Sequence, residues 1–102
     1  MKLHLTLTKK WFDMIASGEK KEEYREVKEY WIKRLMEEPE KFGRRDDKFK
    51  KFESVMLKNG YAVDAPEMEF EVKKIERGRG RHKWGAGKGG IYFVISLGKR
   101  LS

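Results

Sequence analysis

The sequence has no cysteine, and this absence excludes several kinds of chemistry. Without thiols the chain cannot form disulfides, build a thiolate metal site or use a cysteine nucleophile. It also lacks any run close to the roughly 18 consecutive apolar residues of a membrane span. The N-terminal stretch "MKLHLTLTKKW" has neither the apolar block nor the small-residue cleavage site of a signal peptide. We therefore expect a soluble, cytoplasmic protein that does not bind a membrane.

Acidic residues are in the minority, with 17 Asp and Glu against 25 Lys and Arg and a net charge of +8. A positive surplus raises the local concentration of polyanions and disfavours cationic partners. Nucleic acid is the first partner that this predicts, although a content of 41% charged residues also suits a surface that is merely solubilising. The length of 102 residues is enough for a single domain, residues 1–102, with one modest core.

Hydrophobic periodicity predicts two helices in the first half of the chain. The first runs from Lys9 to Ser17, with the Thr8 hydroxyl as its N-cap and Gly18 as a left-handed stop. The second runs from Glu29 to Glu38 and ends because Pro39 follows.

Strands are predicted before and after these helices. The alternating leucines of "KLHLTL" indicate a first strand, and Phe52 to Lys58 indicates another, closed by the turn signal Asn59-Gly60. Glu67 to Lys73 alternates cleanly, and a bulge near Lys74 would keep the next apolar residue in phase. The stretch "IYFVISL" is apolar almost throughout and is expected to be covered on both faces. The pattern predicts an α+β fold built on a small, mixed or antiparallel curled sheet or barrel with two flanking helices.

Two features between these elements also carry predictions. Trp11 and Trp31 fall on the apolar faces of the predicted helices, so we interpret both as core residues. The segment "PEKFGRRDDKFKKF" is polar and shows no clear periodicity, which predicts a mobile surface loop.

The stretch "GEKKEEYRE" is densely charged and lies between the two predicted helices. It has no helical apolar face, so we expect it to be a strand. Alternation then places Glu23 and Arg25 on one side, and Lys20, Glu22 and Tyr24 on the other. Lys20 can join the first pair if the chain turns near the glycine that opens the stretch, where a turn costs little.

The spacing of Gly18, Lys20, Glu23 and Arg25 matches the G-x-K-x-x-E-x-R signature of the ASCH domain, the activating signal cointegrator homology family of the PUA-like superfamily. The surrounding "KWFDMIASG", "EYW", "NGY" and "YFVISLG" segments are also similar to those of small bacterial and phage members. The resemblance covers nearly the whole chain. It implies a PUA-like β-barrel with a cleft lined by the motif residues, in a family generally considered to bind RNA or modified nucleosides.

Some relatives that this chain resembles are enzymes that deacetylate N4-acetylcytidine with a lysine, a threonine and a glutamate. Lys20 matches their motif lysine, whereas the position of their threonine is Glu23 here. A hydrolase that acts on RNA or a nucleoside, such as a ribonuclease or an acetylcytidine amidohydrolase, is therefore the alternative to passive binding. Its candidate catalytic residues are Lys20, Glu23 and Arg25. A carboxylate beside Lys20 favours a charged lysine that binds phosphate over a lysine that acts as a base.

The stretch "RGRGRHKWGAGKGG" is rich in glycine and basic residues and contains no acid. A flexible basic loop with a tryptophan suits single-stranded RNA or DNA, because its backbone can approach phosphates and its indole can stack on an unpaired base. A disordered loop that its charge keeps soluble is the alternative. The candidate nucleic-acid contacts are Lys20, Arg25, Tyr61, Arg79, Arg81, Lys83, Trp84 and Lys88.

The remaining polar and helical features predict less. His4 and His82 lie far apart and belong to no ligand cluster, so we expect no metal, and nothing indicates a cofactor. The helix "EYWIKRLMEE" could present a face to another protein, which leaves a protein-interaction module as a third hypothesis.

Overall fold

Five strands form one sheet in the computed structural model, which describes residues 1–102. They are β1 (Lys2–Leu7), β2 (Glu22–Glu26), β3 (Ser54–Asn59), β4 (Glu67–Gly78) and β5 (Tyr92–Arg100). Their spatial order is β1-β3-β4-β5-β2. β1 and β3 are parallel, and the other neighbours are antiparallel, so the sheet is mixed. The predicted α+β class and the extended conformation of the charged stretch are confirmed.

The two edge strands, β1 and β2, approach each other without pairing. Arg25 on β2 donates a hydrogen bond from Nη2 to the carbonyl oxygen of Thr6 on β1, at 3.1 Å. A side chain therefore bridges a gap that backbone hydrogen bonds would close in a complete barrel. The sheet is a curled half-barrel, and the seam between β1 and β2 is its open side.

β5 is buried on both faces, as its apolar sequence predicts. Phe93, Val94 and Ile95 are successive buried residues, so side chains on both faces of β5 are covered. Phe93 and Ile95 enter the main core of 13 buried residues. Val94 points to a smaller cluster on the other face.

β4 contains the predicted irregularity and is longer than predicted. Its register against β5 shifts between Phe70 and Val72 and again before Lys74. The shift lets Ile75 pack against the main core, so the predicted bulge is confirmed. The strand continues to Gly78, which shortens the basic loop that follows it.

The first helix, α1 (Lys9–Ala16), ends one residue earlier than predicted. Gly18 adopts the expected left-handed conformation, with φ of +86°. Thr8 is the N-cap residue, as predicted, but its hydroxyl makes no capping hydrogen bond. Thr8, Lys9 and Lys10 are exposed, so water can accept hydrogen bonds from the free N–H groups of the first turn.

The second helix, α2 (Glu29–Leu35), ends well before Pro39, so that predicted stop is wrong. Met36 is already extended and forms a β-bridge with Phe49. The amide of Lys50 donates to the carbonyl oxygen of Leu35 at 2.8 Å, so an adjacent chain segment takes over the backbone pairing. The proline instead opens a short 3₁₀ turn. Neither α1 nor α2 is long and apolar enough to cross a membrane.

The segment between α2 and β3 is not the mobile loop that its polar sequence predicts. Phe42, Phe49 and Phe52 pack against the main core. The rings of Phe42 and Phe49 meet Phe93 edge-on, with centroids 6.2 and 5.7 Å apart. Asp47 also forms an ion pair with Arg77 at 3.1 Å. Sequence periodicity misses this packing because three aromatic residues scattered among charged ones are too few to define a helical or strand repeat.

Candidate functional site

A cleft of about 880 Å³ opens along the seam between β1 and β2. Five polar or charged residues of the two strands line it: His4, Thr6, Glu23, Arg25 and Glu26. The cleft therefore lies where the half-barrel leaves backbone edges unpaired, which is a place where a ligand can reach both edges.

The aromatic residues divide by type between this cleft and the main core, and Trp31 alone contacts both. All three tryptophans and all four tyrosines of the chain line the cleft: Trp11, Tyr24, Tyr30, Trp31, Tyr61, Trp84 and Tyr92. All six phenylalanines pack in or against the main core: Phe12, Phe42, Phe49, Phe52, Phe70 and Phe93. Tryptophan and tyrosine carry a polar group at one end of a flat apolar ring, so they suit a surface that is partly wet.

The predicted geometry of the charged motif is confirmed. Glu23 and Arg25 share one side of β2, and Arg25 Nη1 is hydrogen-bonded to Glu23 Oε2. The chain turns before β2, and the amide of Lys20 donates to the carbonyl oxygen of Met14 at 3.0 Å. This turn brings Lys20 Nζ to 2.8 Å from Glu23 Oε1. One buried carboxylate therefore holds two cations, one on each oxygen.

Lys20 lies beneath the cleft and not in its lining. The residue is 2% exposed, and its ammonium group also donates to the carbonyl oxygen of Glu22. Its Nζ atom lies 5.4 Å from the ring centroid of Trp11 and 4.8 Å from that of Tyr24. Burial lowers the pKa of Lys20, and the neighbouring carboxylate of Glu23 opposes that shift.

Arg25 forms part of the cleft and is incompletely bonded. Its guanidinium group donates to Glu23, to the carbonyl oxygen of Tyr24 at 2.7 Å and to that of Thr6. A guanidinium group has five N–H donors, so two remain without a protein acceptor. The side chain is 15% exposed, and its guanidinium carbon lies 5.2 Å from the ring centroid of Trp31. Arg25 is thus fixed in place and can still donate to a ligand.

Tyr24 connects the motif to the basic loop. Its hydroxyl donates to Glu22 Oε1 at 2.7 Å and accepts from the amide of Arg81 at 2.9 Å. Burial raises the pKa of Tyr24 to about 12. Tyr24, Trp84, Ala86 and Val94 form the smaller buried cluster. The loop is therefore folded against β2, not disordered.

Trp84 occupies a 3₁₀ turn, His82–Trp84, in that loop. Its ring is buried, and Arg81 and Lys83 lie 5.0 and 5.3 Å from its centroid. Gly85 follows with φ of +108°, and a Cβ there would meet the Trp11 ring at 3.1 Å. The glycine therefore lets the loop backbone lie directly against a wall of the cleft.

Seven of the eight predicted contact residues fall into two groups, and the eighth, Lys20, is buried beneath the cleft. Arg25, Tyr61 and Trp84 line the cleft together with Glu23, and Tyr61 is 89% exposed at its rim. Outside the lining lie the exposed loop cations Arg79, Arg81, Lys83 and Lys88. None of these four forms a salt bridge within 4.0 Å, so their charge is available to a partner.

The prediction that Trp11 and Trp31 are core residues is confirmed in part for Trp31 and is wrong for Trp11. Trp11 and Trp31 are half-buried and line the cleft, although Trp31 also packs against the main core. A helical repeat shows which face is apolar, but not whether another element covers it. Tyr30 and His4 were not predicted as cleft residues, and no periodic signal distinguishes them.

Comparisons of this chain with family models, curated proteins and solved structures return no match.

Proposed function

We propose that the chain is a cytoplasmic RNA-binding domain of the ASCH type, with a PUA-like fold, that holds unpaired bases of single-stranded RNA in the cleft. The observation that carries the proposal is the placement of every tryptophan and tyrosine in the cleft lining. Flat aromatic rings stack on bases, and each stacked base contributes about 1–3 kcal/mol in single-strand binding proteins. The net charge of +8 supports a polyanionic ligand.

Arg25 is the residue best suited to read the ligand. Its two free N–H groups can donate to a base carbonyl or to a phosphate oxygen, and its plane stacks near Trp31. Glu23 holds the guanidinium group from below and also lines the cleft. Fixing the donor before the ligand arrives lowers the entropy lost on binding.

Lys20 acts in this proposal through Glu23 and does not touch the ligand itself. Its ammonium group is enclosed by Glu22, Glu23 and two aromatic rings, and it is absent from the cleft lining. Lys20 is thus a positioning residue for the carboxylate that orients Arg25.

The basic loop extends the binding surface beyond the cleft. Arg79, Arg81, Lys83 and Lys88 are exposed and unpaired, while Trp84 and Gly85 of the same loop line the cleft. A base in the cleft would therefore have its flanking phosphates within reach of loop cations. We assign the loop the role of a phosphate track.

Binding of fluorescently labelled single-stranded RNA at several salt concentrations tests the proposal. Affinity should fall as salt rises, since phosphate contacts release counterions. Intrinsic fluorescence should also be quenched, because all three tryptophans line the cleft. A duplex of the same sequence should bind more weakly, since its paired bases cannot enter.

Two pairs of variants locate the binding. Arg25→Gln and Tyr61→Ala should each weaken it, by about fivefold or more when a charged donor or a stacking ring is removed. The matched controls are Arg45→Gln and Val63→Ala, which alter exposed side chains outside the cleft. The proposal is wrong if the wild-type protein does not bind RNA at low salt. It is also wrong if Tyr61→Ala binds RNA as tightly as Val63→Ala and Arg25→Gln binds it as tightly as the wild-type protein. Tyr61 is 89% exposed, so its variant tests the cleft without risk to folding.

Hydrolysis of RNA or of a modified nucleoside by Lys20 is supported less well by the geometry. The lowered pKa of Lys20 suits a base, but its ammonium group is buried and already bonded to Glu22 and Glu23. Chromatography after incubation with N4-acetylcytidine or unstructured RNA tests the alternative. Product formation that is lost in Lys20→Ala would favour a hydrolase over a binding domain.

A protein-interaction role for α2 is supported less well again. The helix turns Trp31, Ile32 and Leu35 towards the main core. Tyr30 is its largest exposed side chain, and that residue belongs to the cleft. The helix therefore leaves no broad apolar face for another protein.

A further inference from the structure

A second groove, of about 440 Å³, adjoins the cleft, and four of its nine lining residues have cationic side chains. Its polar and aromatic lining includes Lys2, His4, Tyr30, Lys33, Arg34 and Lys50. No Asp or Glu lines it. His4 and Tyr30 also line the cleft, so the groove continues from the cleft across these two side chains.

The positive charge of the groove is only partly neutralised by the protein. Lys2 and Lys33 form exposed ion pairs with Glu69 and Glu29, both at 3.2 Å. Arg34 has no carboxylate partner, and its guanidinium carbon lies 4.4 Å from the ring centroid of Tyr30. Lys50 donates only to the carbonyl oxygen of Lys33, at 3.4 Å. Two cations thus flank the groove without a counter-ion, and one of them stacks on the shared aromatic ring.

We propose that this groove binds the phosphodiester backbone of the RNA strand that leaves the cleft past Tyr30. The inference rests on the proposed RNA-binding function and adds a second backbone path to the one along the basic loop. Charge complementarity selects the ligand, because a groove bordered by unpaired Arg and Lys and free of carboxylates fits a polyanion. The Tyr30 ring can stack on the first base outside the cleft, since Arg34 already holds that ring in one orientation.

Binding of two ligands of different length tests the groove. A nucleoside monophosphate fits the cleft alone, whereas an oligonucleotide of about 12 nucleotides exceeds it and reaches both basic surfaces. In Arg34→Gln/Lys50→Gln the monophosphate should bind as in the wild-type protein. The oligonucleotide should bind about tenfold more weakly at moderate salt, and its log–log salt slope should flatten by about 1.4, or about 0.7 for each phosphate that no longer has a cation beside it.

The matched control is Arg45→Gln/Lys48→Gln, which removes one arginine and one lysine from exposed positions outside both the cleft and the groove. If the groove and control variants bind the oligonucleotide equally well, the groove inference is wrong. Arg25→Gln separates that result from failure of the proposed function. If this variant binds the oligonucleotide more weakly than the wild-type protein, RNA does bind in the cleft, and only the groove inference has failed. If the wild-type protein binds neither ligand, both proposals fail.

Circular dichroism establishes that each variant is folded. Should the double groove variant unfold, Arg34→Gln compared with Arg45→Gln, and Lys50→Gln compared with Lys48→Gln, repeat the test one charge at a time. Each single groove variant should then flatten the salt slope by about 0.7 relative to its control. Equal slopes in both comparisons overturn the inference.

Discussion

Lys20 and Glu23 form a buried ion pair, with Nζ 2.8 Å from Oε1 and side chains 1% and 7% exposed. The other oxygen of Glu23 bonds to Arg25, so a single carboxylate balances two cations under the cleft. Taking charges out of water costs several kcal/mol for each ion, and these interactions must offset that cost. Among these three residues, Glu23 is therefore the one whose substitution should lower the stability of the fold most.

Glu23→Gln should destabilise the protein by about 3–5 kcal/mol, because it leaves Lys20 and Arg25 buried without a counter-ion. Lys20→Met should cost less, since Glu23 keeps Arg25 as its partner and the methionine can still pack beside the Trp11 and Tyr24 rings. Urea denaturation of both variants and of the double variant measures the coupling between them. If Glu23→Gln is as stable as the wild-type protein, or if the two effects simply add, the ion pair does not have this role.

The stability of the protein should fall between about pH 10 and pH 12 because of Tyr24. Its pKa is raised to about 12 in the folded chain from an ordinary value of 10.0. In this window the folded chain keeps a proton that the unfolded chain releases, so rising pH favours unfolding. A difference of two pK units corresponds to about 3 kcal/mol, which is fully present below pH 10 and mostly lost by pH 12.

Denaturation at a series of alkaline pH values, with Tyr24→Phe as the test variant, isolates this contribution. The variant should lose stability less steeply between pH 10 and pH 12 than the wild-type protein. Tyr61→Phe, altered at an exposed rim residue, should follow the wild-type curve. Identical pH dependence of all three proteins would show that Tyr24 does not hold its proton more tightly when folded.

The docking of the basic loop on Tyr24 depends on Gly80. A Cβ at this position would lie 2.6 Å from Tyr24 Cζ and 2.7 Å from Ala86 Cβ, closer than packed atoms approach. Gly80→Ala should therefore displace the loop and destabilise the protein by about 1–3 kcal/mol. Gly78→Ala is the matched control, since its Cβ would come no closer than 3.9 Å to Val94.

Thermal unfolding and RNA affinity of the two glycine variants measure this effect. Gly80→Ala should unfold at a lower temperature and bind RNA more weakly, because Trp84 and the loop cations move with the backbone. Gly78→Ala should behave like the wild-type protein in both assays. Equal melting temperatures for the two variants would show that the loop is not held against Tyr24.

The sequence was most informative where a simple repeat determines which way a side chain points. Period-two alternation placed Glu23 and Arg25 on the same side of β2, and the flexibility of Gly18 allowed for the turn that brings Lys20 back to them. The apolar run of β5 indicated burial on both faces, and this is confirmed. These features depend on local geometry, which neighbouring residues largely determine.

A cleft at the motif residues was expected from the family resemblance, but most of its lining could not be predicted, because contacts between residues distant in sequence form it. The helical repeat identified Trp11 and Trp31 as apolar-face residues, but the open seam between β1 and β2 leaves part of those faces uncovered. The end of α2 depends on the pairing of Met36 with Phe49, which no pattern in the neighbouring sequence predicts. The contrast between tryptophan and tyrosine on one side and phenylalanine on the other is visible only once the chain is folded.

The basic loop separates an RNA-binding protein from a pocket for a small neutral ligand. If it is a phosphate track, replacing Arg79, Arg81, Lys83 and Lys88 with Gln should weaken RNA binding and flatten its salt slope by about 0.7 for each phosphate that these cations neutralise. The fold should survive, because Trp84 and Ala86 keep their buried positions and the replaced side chains are exposed. Stability should fall modestly, since Arg81 and Lys83 lie over the Trp84 ring and such interactions contribute about 0.5–1 kcal/mol at exposed sites.

The control for this variant carries four Gln substitutions in the segment before β3, at the exposed positions Arg44, Arg45, Lys48 and Lys51. It removes the same number of arginines and lysines, so any difference between the two proteins comes from the position of the charge and not from net charge. Titration with single-stranded RNA should show the flatter salt slope in the loop variant alone. A neutral nucleoside should bind both variants equally, because the cleft residues are unchanged. If the loop variant is folded and matches the control in RNA affinity and in salt slope, the loop is not a phosphate track, and RNA must be held by the cleft and the other basic surfaces.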